Sequence, residues 1–230
     1  KTAYEIRLSL VGSEMCIRDR LQIVINQQYE HENGKSLVPV VSAIDSGGLH
    51  TSEVYQFARE KVAQGVIAIK GQSQANKPAI GRPTRVDINF RKTNRAIKKG
   101  GQVYPLGVDT IKNTLMGRLK NNKVGSNGYI HFHANTSEEY FKQITAERQI
   151  LKTNKAGFQV PQWVKKATTR NECLDTWVYS YAAMCFYISK FNRNTVWQQL
   201  ENKLNEDDNV VKPKRATIKR TSTNNFVNNW

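Results

Sequence analysis

The chain has 230 residues, 39% of them hydrophobic, enough for one large or two small domains around a buried interior, and this argues against a disordered chain. Thirty-five Lys and Arg against nineteen Asp and Glu leave a formal charge of +16, which points to a polyanionic partner, nucleic acid first, because clustered cations release condensed counterions on meeting phosphates. No apolar run approaches the ~18 residues that span a bilayer and no secretory start is present, so the chain reads as soluble and intracellular, with no membrane partner.

The first twenty residues, KTAYEIRLSLVGSEMCIRDR, show neither helical nor strand periodicity and resemble a tract of translated sequencing adapter. They are set aside as artefactual, and Cys16 with them. The natural chain is then expected to be cut upstream of about Leu21 and to be a piece of something longer. From Leu21 strands alternate with helices, which argues for an α/β domain over residues 21–192, with a mixed central sheet flanked by helices. Val40–Ile44 reads as a short apolar strand, Ser52–Gln64 as a helix with Val54, Phe57, Ala58 and Val62 at helical spacing, and VIAIK (66–70) as a second buried strand. GQSQANKPAIGRPT (71–84) holds two Pro and two Gly and reads as a loop. RVDINF (85–90) alternates like a half-exposed strand, QVYPLGVD (102–109) ends another strand in an acid, and DTIKNTLMGRLK continues as a helix. GYIHFH (128–133) reads as a strand, and a helix begins at Ser137 with Glu138 and Glu139 in its first turn, where the helix dipole favours carboxylates. NECLDTWVYSYAAMCFYISKF (171–191) is the longest and most apolar helix. Its Cys173 and Cys185 stand about 18 Å apart along the axis, which argues against a disulfide framework or a thiolate zinc site. Residues 193–230 read as a C-terminal helix and a basic tail, polar enough after Asn205 to be disordered.

Three acids stand in awkward places: Asp45 and Asp109 at the carboxyl ends of predicted strands, and Asp175 inside an apolar helix. A carboxylate so placed needs a basic neighbour, backbone amides or a metal ion, because burying it unpaired is costly. Mg²⁺ takes carboxylate oxygens and keeps several waters, and two such ions about 4 Å apart activate a water and stabilise the leaving oxygen of a phosphodiester. A basic chain with three converging carboxylates is therefore a candidate metal-dependent nuclease. Glu172, three residues before Asp175 and so on the same helix face, is a further candidate ligand. Structural readings stand beside these. Asp45 before Ser-Gly-Gly is ordinary turn chemistry, Asp109 or Thr110 can cap the helix that follows, and Asp175 can pair with Arg170 or a neighbouring Lys. Spacing alone does not choose between them.

The segments AIDSGGLHTSEVYQFA, VIAIKG, VYPLGVDTIKNTLMGRL, GYIHFH, EEYFKQITAE and WVKKATTRNECLDTWVYSYAA stand here in the order they have in a known family. Over about residues 28–190 the chain resembles the nuclease part of the large terminase subunit of tailed phages, lambda-type branch. The resemblance implies an RNase H-like nuclease fold whose acidic cluster binds two Mg²⁺ or Mn²⁺ ions. It also implies cutting of concatemeric double-stranded viral DNA for genome packaging in the host cell cytoplasm, with the terminase small subunit, the portal protein and a homo-oligomeric motor as partners. Position by position, Asp45 in IDSGG matches the family's first-strand acid and Asp175 in NECLDTWVYSYAA its helical acid. Asp109 in GVDT is taken as the remaining ligand, with Glu172 and Glu139 as alternatives. His131 in YIHFH is a candidate accessory to the metal or the scissile phosphate, the alternative being a satisfied structural histidine. Lys70, Arg118, Lys165, Lys166 and Arg170 are candidate phosphate contacts, since Lys and Arg supply charge without demanding a base sequence; a solvated basic face is the alternative for each.

The large subunit of that family also carries an amino-terminal ATPase motor, whereas no G-x-x-x-x-G-K-[ST] phosphate loop occurs in this chain. NGKS (33–36) has Tyr29 where the loop's first glycine belongs. The chain is thus expected to hold no ATP site, to cut DNA and not to translocate it. Three rival readings share some of these features. One is another RNase H-like enzyme, a resolvase or transposase; the second is a metal nuclease using His131 and His133 from one side of a strand. The third is a non-catalytic basic DNA-binding module whose acids are structural.

Overall fold

The computed structural model describes residues 14–72, 74, 76–90 and 95–205, and the chain divides into two units at residues 190 and 191. In the first unit, helix α1 (Glu14–Ile25) and a small ribbon of β1 (Tyr29–Glu30) and β2 (Ser36–Leu37) lead into β3 (Ser42–Asp45). There follow α2 (Thr51–Glu60), β4 (Val66–Gln72), β5 (Thr84–Phe90), β6 (Arg95–Gly107), α3 (Val108–Leu119) and α4 (Glu138–Ile144). A second ribbon, β7 (Glu147–Thr153) with β8 (Gln159–Lys165), precedes α5 (Glu172–Ile188). The second unit contributes α6 (Val196–Asn205), whose start is fixed by Gln199 donating from its backbone and its amide to Thr195.

The central sheet has the order β3-β4-β6-β5, with β3, β4 and β6 parallel and β5 antiparallel. It is the mixed sheet flanked by helices that the alternating pattern implies. β4 explains why VIAI is an unbroken apolar run: a strand covered on both faces has no polar side to alternate with. Ile67 and Ile69 pack on one face with Leu106, Ile111, Leu115, Leu174, Val178 and Ala182, from β6, α3 and α5. Val66 and Ala68 pack on the other with Ile25, Tyr55, Phe57 and Ala58, from α1 and α2. The alternation carries over to β3, where Ala43 joins the α5 side and Ile44 the α2 side, so Asp45 returns to the α5 side.

The start of α3 is held by loop 77–81. Gly107 N donates to Pro78 O (3.0 Å), Gly81 N to Pro105 O (2.8 Å) and Thr110 Oγ1 to Lys77 O (2.6 Å). A Cβ on Gly107 would lie 2.4 Å from Lys77 O, so only glycine admits this approach. β6 therefore ends at Gly107, and Asp109 stands in the first helical turn rather than at a strand end.

Residues 128–133, GYIHFH, form no strand and run as irregular backbone. The alternation of rings imitates a period of two, but the rings pack on helices instead of lining a ladder. Phe132 meets Trp177 at 6.3 Å and Phe141 at 5.0 Å, and Tyr129 meets His131 at 4.8 Å. Thr136 then closes a turn on His133 O. The strand geometry that would aim His131 and His133 at one ion is absent. Both cysteines of α5, Cys173 and Cys185, are free thiols. Residues 14–20 of the tract set aside on sequence form the first part of α1, and Arg18 there pairs with Glu60 at 3.2 Å. The tail from residue 206 and the tract before Glu14 lie outside the described residues. No described helix is long and apolar enough to cross a membrane.

Candidate active site

Asp45 is the last residue of β3, and the turn after it uses one of its oxygens. Gly47 N donates to Asp45 Oδ1 (2.9 Å), Ser46 Oγ donates to Ile69 O (2.8 Å), and Thr51 Oγ1 donates to Ser46 O and Gly48 O (both 2.8 Å). Gly48 sits at φ 118, a conformation that side-chain-bearing residues rarely adopt. The turn reading of IDSGG is thus correct for one oxygen. The other, Oδ2, accepts from Tyr179 Oη at 3.1 Å.

Tyr179 belongs to α5, one turn beyond Asp175. The apolar stripe Leu174, Val178 and Ala182 presses this helix onto the sheet, which puts Asp175 and Tyr179 side by side at the edge of that stripe, near the end of β3. Behind them stands a buried pair. Lys112 of α3, flanked by Ile111 and Leu115, reaches Glu147 Oε2 at 2.7 Å, with side-chain exposures of 8% and 7%. Lys112 Nζ lies 4.0 Å from Asp175 Oδ1, so its primary partner is Glu147. Asn171, at the N-cap position of α5, makes no capping bond with its side chain. Its Nδ2 donates instead to Glu147 Oε1 (2.8 Å) and Asp175 Oδ2 (3.2 Å).

The electrostatics follow from this crowding. Burial raises the Asp175 carboxyl above the ordinary carboxylate value; Lys112 pulls it back, and Glu147, Asp45 and Glu172 push it up again. Burial also raises the Tyr179 hydroxyl, helped by the charges of Asp45 and Asp175, so it remains a protonated donor at neutral pH. The mutual repulsion of Asp45, Asp175 and Glu147, offset in part by the Lys112 ammonium, marks a place that favours added positive charge.

The other residues singled out on sequence lie as follows. Asp109 makes no hydrogen bond or ion pair with this group among the described residues. Glu172 pairs with Arg170 at 3.2 Å, and Glu139 accepts from Gln143 at 3.0 Å. Lys70 is exposed at the carboxyl end of β4, next to the level of Asp45, which pairs in register with Ile69. Arg118 stacks on the ring of Tyr181 at 5.3 Å, Lys165 donates to Thr169 O, and Lys166 and His131 are exposed. Sequence reasoning missed Lys112, Glu147, Asn171 and Tyr179. Tyr179 stands four residues after Asp175, and Lys112 is a lone cation inside the Ile111–Leu115 stripe; both are readable signals. Glu147 closes the segment EEYFKQITAE but shows nothing in its spacing that sets it apart.

Among the described residues no three side chains of His, Cys, Asp or Glu come together as a metal cage. The donor set still suits a hard cation, because Mg²⁺ is usually bound by one or two carboxylates with waters and substrate phosphates rather than by an all-protein cage. Asp45 Oδ2 and the Asp175 carboxylate are two such donors, each oriented by a hydrogen bond from a neighbouring side chain.

Over residues 11–206 the sequence matches the family described as "Terminase large subunit gpA, endonuclease domain". The chain is similar to the "Terminase, large subunit" of Escherichia phage lambda, 29% identical over 205 residues that make up 86% of this chain and 30% of that protein. It is also similar to the "Terminase, large subunit" of Enterobacteria phage P21, 29% identical over 172 residues, or 72% of this chain and 25% of that protein. The chain thus spans less than a third of the length of either relative. No solved structure matches. Since the family match takes in both β3 with Asp45 and α5 with Asp175, the chain belongs to the family of terminase large subunit gpA endonuclease domains.

Proposed function

We propose that this chain cuts double-stranded viral DNA as the nuclease part of a phage terminase large subunit, using carboxylate-held divalent ions on an RNase H-like scaffold. The observation that carries this is the meeting of Asp45 and Asp175. One comes from the carboxyl end of a parallel strand and the other from a helix across it, close enough for their charges to interact; Tyr179, one turn beyond Asp175, donates to Asp45, and Lys112 and Glu147 stand behind.

Mg²⁺ or Mn²⁺ bound here would lower the pKa of a water and stabilise the leaving oxygen of the phosphodiester. Asp45 and Asp175 would hold it. For a second ion, Glu147 is favoured over Asp109, because Asn171 and Lys112 keep it beside Asp175. The residues around these carboxylates have separate tasks. Gly47 N and Tyr179 Oη fix the two oxygens of Asp45, and Asn171 orients Asp175. Lys112 cancels the charge of Glu147, so an approaching phosphate meets less repulsion. Lys70, Arg118, Lys165, Lys166 and Arg170 supply phosphate contacts that do not depend on base sequence, and His131 remains the accessory candidate. Cutting of concatemers, partnership with a small subunit and a portal protein, and work within an oligomeric motor in the host cytoplasm belong to the whole large subunit and complete the proposal.

The test is nicking and linearisation of supercoiled plasmid by the purified chain with Mg²⁺, Mn²⁺ or EDTA, beside the Asp45→Ala variant. Cutting should need the metal and vanish in the variant. DNA affinity should stay within about threefold, since phosphate binding rests on Lys and Arg. Parental cutting by the variant, or cutting in EDTA, overturns the mechanism. Binding without cutting under any metal favours the non-catalytic module.

A further inference from the structure

A second cationic surface lies at the other end of the sheet from the carboxylates, where β5 and β6 continue as a two-stranded ribbon beyond β4. Strand β4 begins at Val66 and its Ala68 pairs with Val103, whereas the ribbon runs on through Ile88 opposite Ile97 to Phe90 opposite Arg95. A bulge interrupts it. Lys98, Lys99 and Gly100 of β6 all stand opposite Asp87 alone, between the pairs Val86–Gly101 and Ile88–Ile97. Lys99 adopts φ 50, unusual for a residue with a side chain, and Asp87 Oδ1 holds it there by accepting from Lys99 N at 2.6 Å. A Cβ on Gly100 would meet Ile97 Cγ2 at 2.5 Å and Arg59 Nη1 at 2.8 Å, so the bulge also packs the Arg59 guanidinium of α2 against the ribbon. The local backbone is thus bent and held bent, which is how bulges re-aim side chains. The result is four exposed cations at one end of the sheet: Arg59, Arg95, Lys98 and Lys99. None of them forms an ion pair with a described carboxylate.

We propose that this ribbon is a second DNA-binding surface, which grips the phosphates of the duplex about seven base pairs from the scissile bond. The inference rests on the reading that the substrate is duplex DNA. A two-stranded ribbon is narrow enough to lie in the major groove, where the cations along its β6 edge reach the backbone phosphates. The spacing follows from the register. Asp45 is level with Ile69, and Ile69 with Tyr104. From Tyr104 it is one strand step to Val103 and six more along β5 from Thr84 to Phe90, the partner of Arg95. At about 3.3 Å per step and about 4.8 Å between strands, the carboxylates and the ribbon end are about 25 Å apart. A straight duplex rises about 3.4 Å per base pair, so it covers that distance in about seven. The ribbon would hold the duplex in place while the carboxylates act on one strand, and it would do so without metal.

The experiment is fluorescence anisotropy in EDTA with the full 230-residue chain, comparing the parent with an Arg95→Gln, Lys98→Gln, Lys99→Gln variant. A control variant removes equal charge elsewhere, at Lys142, Lys155 and Lys190. On a duplex of about 20 base pairs, the slope of log affinity against log salt should fall by about 0.9 per lost phosphate contact, close to 2.7 in the ribbon variant, and by less in the control. On a hairpin-closed duplex of about five base pairs, too short to reach beyond the ribbon to the carboxylate end, the parent should show a shallower slope than on the long duplex, and an equal slope overturns the spacing. Equal slopes for parent and ribbon variant on the long duplex overturn the proposal and leave an acidic protein surface as the occupant. A drop of the same size in the control overturns it as well, as an effect of net charge. Plasmid cutting by the same proteins with Mg²⁺ is scored separately, so failure of the ribbon and failure of the nuclease reading are distinguishable.

Discussion

Replacing Lys112 by Met removes the ammonium that stands among the carboxylates and keeps most of its aliphatic stem beside Ile111 and Leu115. Glu147, with a side-chain exposure of 7%, would then be buried with only the Asn171 amide as partner. Asp175 would lose the largest influence that holds its carboxyl down. Breaking a buried pair by removing one partner costs about 3–5 kcal/mol. In a domain of this size each kcal/mol moves Tm by about 2–4 °C, so the fall should be about 6–20 °C. The assay is thermal unfolding at pH 7 in EDTA, followed by circular dichroism and repeated with Mg²⁺. Adding Glu147→Gln to Lys112→Met removes the stranded charge while keeping an acceptor for Asn171, so the double variant should regain most of the loss, with a coupling of about 2 kcal/mol or more. Mg²⁺ should raise the Tm of Lys112→Met more than that of the parent, because the ion replaces the missing positive charge. Single substitutions that each cost under about 1 kcal/mol and simply add would show that the pair behaves as an exposed one, and the account of the site would fail with it.

Two further outcomes bear on the same residues. Tyr179→Phe removes the donor to Asp45 Oδ2 without changing shape. The Mg²⁺ concentration for half-maximal response should rise about tenfold, read both by cutting and by the metal-induced Tm shift, while saturating metal restores the parental rate; an unchanged metal curve would remove Tyr179 from the site. For Asp175 the sign follows from its raised carboxyl value. The folded chain holds that proton more tightly than the unfolded chain, so the stability this group contributes is complete at low pH and falls as pH rises from the ordinary carboxylate range through the raised value. Asp175→Asn should therefore raise the Tm of the metal-free chain by about 1–3 °C at pH 7, and the gap should close toward pH 4. A gap that widens on acidification contradicts the assignment. The same substitution should abolish the Mg²⁺-induced Tm shift.

The fold was legible where burial on both faces or helical spacing left a strong pattern. VIAI announced a doubly covered strand, and the Val54, Phe57 and Ala58 spacing announced α2, although that helix ends at Glu60 and Val62, counted in the same stripe, lies beyond it and is exposed. It failed where side chains serve contacts that have no period. GYIHFH alternates for reasons of ring packing. The β7–β8 ribbon went unread because its strands are exposed along most of both faces, leaving little hydrophobic alternation to see. Asp45 and Asp175 could be singled out because an acid at the end of an apolar strand, or in an apolar helix, conflicts with its surroundings. Glu147 carries no such conflict in sequence. Its burial depends on Lys112, thirty-five residues away in the chain, and only the packing of α3 beside the start of β7 creates the pair.

The placement of Lys112 also bears on how a chain of charge +16 can carry a carboxylate centre at all. Beyond a Debye length of about 8 Å a polyanion is screened from individual groups, so surface Lys and Arg decide approach and local charges decide contact. Asp45, Asp175 and Glu147 would present three negative charges to a phosphate at contact; Lys112 against Glu147 reduces them to two. One divalent ion then brings the local balance to neutrality, whereas without Lys112 the same ion would leave a net negative charge facing the scissile phosphate. A lysine in that position thus lowers the number of metal charges needed before DNA can enter. Its loss should therefore raise the metal requirement for cutting more than it weakens DNA binding in EDTA, where the remote cations still act.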